Sequence, residues 1–259
     1  MIEIIQDISR WTEIRDQLKI EGKSIGFVPT MGALHEGHLS LVKKSLKETQ
    51  VTLISIFVNP TQFNKTEDLK NYPSELTNDI KKLQEVTKDS KELHFLLLPD
   101  KEQIYPDNYN FKVFENKISP LLCGKDRPGH FQGVMTVVLK LLNIAGAKKS
   151  YFGEKDYQQL QIIKKMAEAF FIPTEIVGCP IVRETSGLAL SSRNLNLTKE
   201  KLVLAKELFK TISSAKSKSD AKKDLSKKGF EVDYVEEQWG RRFVAAQLEG
   251  VRLIDNVNL

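Results

Sequence analysis

Cysteine is scarce: Cys123 and Cys179 are the only two in 259 residues. They are too few for a disulfide framework. Neither sits in a C-x-x-C pair, which argues against thiol redox chemistry and a cysteine-rich zinc site. Both are expected to be reduced, structural thiols of a cytosolic protein. Long apolar runs are missing as well. No stretch approaches the roughly 18 residues that a membrane span needs. The segment Met1–Arg10 carries Glu3 and Asp7 and lacks a basic head before an apolar stretch, so no signal peptide is expected there. Repeats and low-complexity linkers are absent. Two familiar phosphate-binding signatures are absent too. Gly22-Lys23-Ser24 mimics the end of a P-loop, but Gln17 stands where the first glycine belongs and the tripeptide precedes the first strand. No G-x-G-x-x-G follows that strand, so a bound nucleotide must be held in another way.

What is present is an ordinary globular composition, 41% hydrophobic and 28% charged. The net charge of +5, from 39 basic and 34 acidic residues, suits anionic substrates and also fits weak attraction to nucleic acid. The first two-thirds alternates strand-like and helix-like stretches. Strands are expected at Ser24–Val28, stopped by Pro29, and at Thr52–Val58, Phe95–Leu98, Ser150–Phe152 and Thr174–Gly178. Helical patterns run through Leu39–Leu46, through Leu76, Ile80 and Leu83, and through Val134–Ala145 and Asp156–Phe171. This order predicts an α/β fold, a Rossmann-like parallel sheet with helices on both faces and ligands beyond the carboxyl ends of its strands. The composition then shifts. A helix at Thr198–Thr211, with Thr198 as N-cap, precedes short strands at Val232–Val235, Phe243–Ala246 and Val251–Ile254, a smaller α+β unit. The division expected is residues 1–184 for the larger domain and 185–259 for the smaller, closing over the active site. Lys216–Lys228 holds six lysines against two aspartates. No aromatic residues interleave with them, so a solvated helix face is favoured over a nucleic-acid patch, and no nucleic-acid or membrane partner is expected.

The most informative segment is Val28-Pro29-Thr30-Met31-Gly32-Ala33-Leu34-His35-Glu36-Gly37-His38, between the first strand and the first helix of the alternating pattern. A helix N-terminus offers unpaired N–H groups and partial positive charge to a phosphate. Gly32 and Gly37 permit close backbone approach. His35 and His38, three apart, project from one face and can donate to phosphate oxygens as charge builds. The spacing H-E-G-H is one residue short of the zinc-protease pattern, and no third ligand stands nearby. At the carboxyl end of the second strand, Asn59 and Gln62 offer amides to a small hydroxy acid. In Phe152-Gly153-Glu154-Lys155-Asp156-Tyr157-Gln158-Gln159, Lys155 can place a charge on phosphates and Asp156 can accept from ribose hydroxyls. In Gly187-Leu188-Ala189-Leu190-Ser191-Ser192-Arg193, two hydroxyls and a guanidinium suit β- and γ-phosphates. Arg127-Pro128-Gly129-His130 leads into the buried helix and reads as largely structural.

Together these segments resemble the signatures of pantothenate synthetases, in the expected order, from about Gly26 to Asn256. The His-x-Gly-His core is shared with the wider nucleotidyltransferase and class I aminoacyl-tRNA synthetase-like superfamily. The resemblance implies a cytoplasmic ligase, a homodimer, that condenses pantoate with β-alanine using ATP, through a pantoyl-adenylate, giving pantothenate, AMP and pyrophosphate. It implies His38, His35, Lys155 and Arg193 as catalytic residues, with His38 the family's assigned proton donor. It implies ATP contacts from Pro29, Thr30, Met31, Gly32, His35, Gly37, His38, Gly153, Glu154, Lys155, Asp156, Val182, Leu190, Ser191, Ser192 and Arg193. Asn59, Gln62 and Gln159 would contact pantoate, Gln62 also lying near β-alanine. Mg2+ would accompany ATP, held through its phosphates and not by side chains.

Ser186 replaces the family's usual Asp, Ser74 replaces its usual Arg, and the chain is compressed around Trp239–Phe243. Two other functions draw on parts of the same sequence. A nucleotidylyltransferase acting on a phosphorylated substrate is disfavoured by the three amides, which suit a hydroxy acid better than a phosphate. A non-catalytic nucleic-acid binder would rest on Lys216–Lys228 alone.

Overall fold

A computed structural model describes residues 2–64 and 66–259. The chain opens with strand β1 (Glu3–Ile5) and helix α1 (Ile8–Ile20). Then follow β2 (Ile25–Thr30), α2 (Glu36–Glu48), β3 (Val51–Ile56), α3 (Thr66–Lys70), α4 (Leu76–Thr87) and β4 (Leu93–Leu97). After α5 (Lys101–Ile104) and α6 (Cys123–Asp126) come α7 (His130–Ala145), β5 (Lys149–Gly153), α8 (Tyr157–Ala169) and β6 (Glu175–Cys179). The strands form one six-stranded sheet in the order β1-β4-β3-β2-β5-β6, with every pairing parallel.

Alternate strand residues feed two cores, as a sheet covered on both faces requires. Phe27, Leu53 and Phe95 face α1, α7 and α8 and bury Trp11, Leu142 and Ile163 with them. Val28, Ile54 and Leu96 face α2 and α4 and bury Val42 and Leu83. The Trp11 indole donates to the Ile144 carbonyl at 3.0 Å, tying α1 to α7.

Strand order reverses between β2 and β5. Chain progression runs outward to β3 and β4 on one side and to β6 on the other. At such a switch point the loops leave in opposite directions and open a crevice. The β2–β5 ladder lasts only two pairs, Gly26 with Lys149 and Phe27 with Ser150, whereas β2 pairs β3 along all six residues. This explains why Pro29 does not stop the strand as expected. Ile25 turns its carbonyl to the β5 side, accepting from the Lys148 N–H, while Thr30 turns its own toward β3, accepting from Phe57. By alternation Pro29 faces β5, where pairing has already ended, so its missing N–H costs no ladder bond.

The remaining chain forms α9 (Lys199–Ser214), α10 (Lys218–Lys227) and an antiparallel sheet of β7 (Glu231–Gln238), β8 (Arg241–Leu248) and β9 (Val251–Asn258). Thr198 caps α9, accepting from the Lys201 N–H at 3.3 Å. Leu208, Ile212, Leu225, Val244 and Ala246 form a separate core. The compression around Trp239 is a two-residue hairpin turn. Trp239 and Gly240 take φ of 50° and 69° between the paired Gln238 and Arg241, the left-handed pair that such turns demand. On α10 the lysines surround a buried Ala221 and Leu225, and Lys218 pairs with Glu236 at 2.6 Å. Among the described residues no helix is long and apolar enough to cross a membrane.

Candidate active site

The crevice at the switch point is a cavity of about 280 Å³. Of the residues expected at the site, all but Gly32 and Glu154 line it. Gly32 instead forms the turn at the end of β2, with Ala33, both at positive φ. Glu154 faces away toward Arg241, with which it pairs at 2.7 Å.

The loop from β2 to α2 is built by its own capping chemistry. His35 is the N-cap of α2, and its Nδ1 accepts the Gly37 N–H at 3.1 Å. His38 Nδ1 in turn accepts the His35 N–H at 3.4 Å. A neutral imidazole whose Nδ1 accepts must carry its proton on Nε2, so both rings keep an N–H donor free. The rings stack 4.1 Å apart. A Cβ at Gly37 would lie 2.8 Å from the His35 ring, so glycine is what lets that ring cap the helix. Helix α4 grips the same loop from outside. The buried Asp79 carboxylate accepts the Leu34 N–H at 2.7 Å and Lys82 donates to the Leu34 carbonyl at 2.6 Å. Burial pushes the His35 pKa down to about 4, helped by Lys155 and Lys82, and burial followed by His35 pushes His38 down to about 3. Both are therefore neutral donors at pH 7.

Beyond β3, Asn59 begins a single helical turn at Pro60–Gln62. Its amide is saturated within the protein. The oxygen accepts from the Tyr105 hydroxyl at 2.7 Å and the Thr61 hydroxyl at 2.9 Å, and the nitrogen donates to Gln62 Oε1 at 3.0 Å and the Gly133 carbonyl at 3.3 Å. Asn59 thereby turns Gln62 so that its own Nε2, against Met31 Sδ at 3.2 Å, lies on the cavity side. Gln158 and Gln159 divide similarly. Both line the cavity, but Gln158 is buried and its amide donates to the Ile118 and Leu121 carbonyls at 3.0 and 2.6 Å.

After β5, the turn Glu154–Asp156 presents Lys155. Opposite it, Val182 and Leu190 are joined by a backbone hydrogen bond of 3.0 Å and lead into the turn of Ser191, Ser192 and Arg193. Ser192 donates to the Ala33 carbonyl at 3.1 Å, locking this turn to the β2 loop. Arg193 pairs with Asp68 at 3.0 Å. Ser186, in place of the expected Asp, still caps its loop: the Leu188 N–H donates to its hydroxyl at 3.5 Å. Ser74 is exposed before α4.

Several cavity residues escaped sequence reasoning. Arg127 and His130, read as structural, line the cavity next to Gln62. His130 Nδ1 donates to the Gln62 carbonyl at 2.9 Å and Nε2 accepts from Arg127 at 3.1 Å. Burial, then Arg127, pushes the His130 pKa down to about 3. Burial, then Arg193, lowers that of Arg127 to about 10, which leaves it charged. Arg127 has no carboxylate within ion-pair distance among the described residues. Tyr234, Phe243, Arg252 and Asp255 reach the same cavity from the second sheet. Only a basic residue in the Arg-Pro-Gly-His turn was a local signal for any of these. No group of three or more His, Cys, Asp or Glu side chains converges among the described residues.

Comparison with known proteins gives a consistent answer. The family model described as pantoate-beta-alanine ligase matches residues 3–258. The pantothenate synthetase of Bdellovibrio bacteriovorus is 51% identical over 91% of this chain and 92% of its own. That of Legionella pneumophila strain Corby is 45% identical over 98% and 99%. The crystal structure of the Francisella tularensis pantoate-beta-alanine ligase, complexed with beta-gamma ATP and beta-alanine, superposes with a TM-score of 0.93 at 41% identity, covering 100% of this chain and 98% of that one.

Proposed function

The chain belongs to the pantoate–β-alanine ligase family, and on that premise we propose that the cavity at the β2–β5 switch point runs both half-reactions of the ligase. The enzyme condenses pantoate with β-alanine, using ATP, in the biosynthesis of pantothenate. In the first half-reaction a pantoate carboxylate oxygen attacks the α-phosphorus of ATP. The new P–O bond forms as the Pα–O–Pβ bond breaks, and pyrophosphate leaves with the electron pair. In the second, the β-alanine nitrogen attacks the pantoyl carbonyl, the C–O bond to phosphate breaks, AMP leaves and the amine gives up its proton. Such chemistry depends on positioning and charge stabilisation.

The observation that carries this reading is the convergence of two classes of group on one cavity. Imidazole N–H donors, hydroxyls and cations from His35, His38, Ser191, Ser192, Lys155 and Arg193 lie with the side-chain amides of Gln62 and Gln159. The first set suits a triphosphate, with Pro29, Thr30, Met31, Gly37, Gly153, Asp156, Val182 and Leu190 around the nucleotide. Gly32 and Glu154 shape that site from behind. The amides suit the hydroxyls of pantoate, with Asn59 orienting Gln62. Arg127, beside Gln62, is the counter-charge for an acid substrate's carboxylate. His38, neutral with its proton on Nε2, acts by donating a hydrogen bond to the phosphate as charge builds, and not as a standing imidazolium.

Mg2+ bound with ATP would offset the phosphate charge. Residues 1–184 form the nucleotide and pantoate body, and 185–259 the smaller part closing over it, since Tyr234, Phe243 and Arg252 complete the cavity wall. By family reasoning the enzyme is a cytoplasmic homodimer, which sedimentation of the purified protein tests for its oligomeric part. The decisive assay is ATP–pyrophosphate exchange with Mg2+ and pantoate, β-alanine omitted. Pantoate-dependent exchange is expected, with pantothenate and AMP appearing once β-alanine is added. ATP binding without exchange would mean a different acid substrate.

A further inference from the structure

The carbonyls of Glu154 and Lys155 belong to the two peptide planes that flank the Lys155 Cα, and the torsions of Lys155 are the angles those planes make with it. Both carbonyls accept from one group, Nδ2 of Asn256, at 3.0 Å each. A primary amide has two N–H donors, so a single side chain holds both planes. Its orientation is determined, because Asn256 Oδ1 accepts from Arg241 Nη1 at 2.8 Å. Arg241 also binds the Glu154 carboxylate at 2.7 Å and lies over the Tyr157 ring at 4.2 Å. The Asn256 backbone is pinned in turn. Its N–H donates to Asp255 at 2.7 Å, its carbonyl accepts from Arg183 at 3.1 Å, and Arg183 grips both Asp255 oxygens at 2.6 and 2.9 Å. Asn256 is only 1% exposed.

We infer that Asn256, on β9, is a positioning residue that sets the backbone of Lys155 and so aims its ammonium at the nucleotide. The inference rests on Lys155 being a phosphate ligand. This grip is one of several ties between the second sheet and the larger unit. The Tyr234 hydroxyl to Cys123 contact at 3.0 Å and the Arg252 to Asp126 pair at 3.4 Å join them elsewhere. What Asn256 adds is control of one turn, from about a hundred residues away in sequence.

The test is Asn256→Asp, which keeps size and shape but turns an acceptor oxygen toward both carbonyls. The expected result is a rise of roughly tenfold or more in the ATP KM of pantoate-dependent exchange, the size of one or two lost hydrogen bonds. Affinity for a non-hydrolysable ATP analogue, measured by calorimetry, should fall by the same factor, while the pantoate KM stays within about twofold of wild type, as expected of independent sites. Arg241→Gln, which leaves the carbonyls untouched and frees the amide to turn over, should shift ATP in the same direction by less. A folded Asn256→Asp protein, or Arg241→Gln if the former does not fold, with wild-type ATP affinity overturns the inference. So does an equal loss for ATP and pantoate, the mark of general loosening. Absence of exchange in the wild type would count against pantoate as the acid substrate instead, and calorimetry would still decide on Asn256.

Discussion

Gly153 separates what the protein needs from what its ligand needs. Its φ of −73° and ψ of 136° are open to any residue, and a Cβ built there meets nothing within 4 Å. Neither backbone nor packing therefore calls for glycine, yet the position lines the cavity beside Lys155. Replacing glycine by alanine at a compatible conformation removes freedom from the unfolded chain and stabilises by about 0.4–1 kcal/mol. For a chain of this size that raises the melting midpoint by roughly 1–3 °C. A methyl group forced into a ligand contact costs about 1–3 kcal/mol, a roughly 5- to 150-fold loss of ATP affinity. Gly153→Ala should thus melt slightly higher and bind ATP much more weakly. Differential scanning fluorimetry reads the first, and exchange against ATP concentration at saturating pantoate reads the second. An unchanged ATP KM would refute a nucleotide contact at Gly153. A melting midpoint several degrees lower would show that the methyl collides with the protein and that the space is not open.

His38→Ala should lose roughly 10²–10³-fold in pantoate-dependent exchange, as when one donor to developing charge is deleted; near-normal turnover would remove His38 from the mechanism. Arg127→Ala should raise the KM of pantoate or β-alanine by roughly tenfold or more, the worth of a charged hydrogen bond, and leave the ATP KM in place. If ATP alone suffers in steady-state assays, Arg127 serves the phosphates. His35, His38 and His130 have folded pKa values pushed down to about 4, 3 and 3. Unfolding at pH 5 therefore takes up protons, and stability is full above about pH 6.5, the value of a free histidine, and falls as the pH drops toward 4. Each histidine contributes at most about 1.4 kcal/mol per pH unit. Urea unfolding at pH 6.5 and pH 5 checks this, and equal unfolding free energies would contradict it.

The parallel sheet was legible because β2 through β6 are short runs of buried apolar residues between turn signals. Thr52–Val58 and Phe95–Leu98 were expected within a few residues of the observed Val51–Ile56 and Leu93–Leu97. β1 and α1 were not. Three residues at a sheet edge carry no period, and α1 buries little besides Trp11 and Leu18. Pro29 was read as a terminator because the residue alone does not say where the neighbouring ladder ends. In the site, residues at strand–helix junctions were legible, since such junctions recur at the ligand edge of α/β sheets. Asn59 chemistry was legible, but its saturation depends on Tyr105 and Gly133, far along the chain. Tyr234 and Arg252 were not legible at all, because their approach to the cavity depends on how a second sheet docks.

The two-residue turn at Trp239 gives the protein a spectroscopic handle. The chain has two tryptophans. Trp11 is sealed in the core at 0% exposure, while Trp239 is 37% exposed and packs against Phe243 and Tyr157, both of the cavity wall. On excitation of the indoles, Trp11 supplies a constant blue background and Trp239 a signal sensitive to solvent and to a neighbouring ring. Changes in emission then report on the cavity mouth, and the enzyme carries both probe and internal standard without a label.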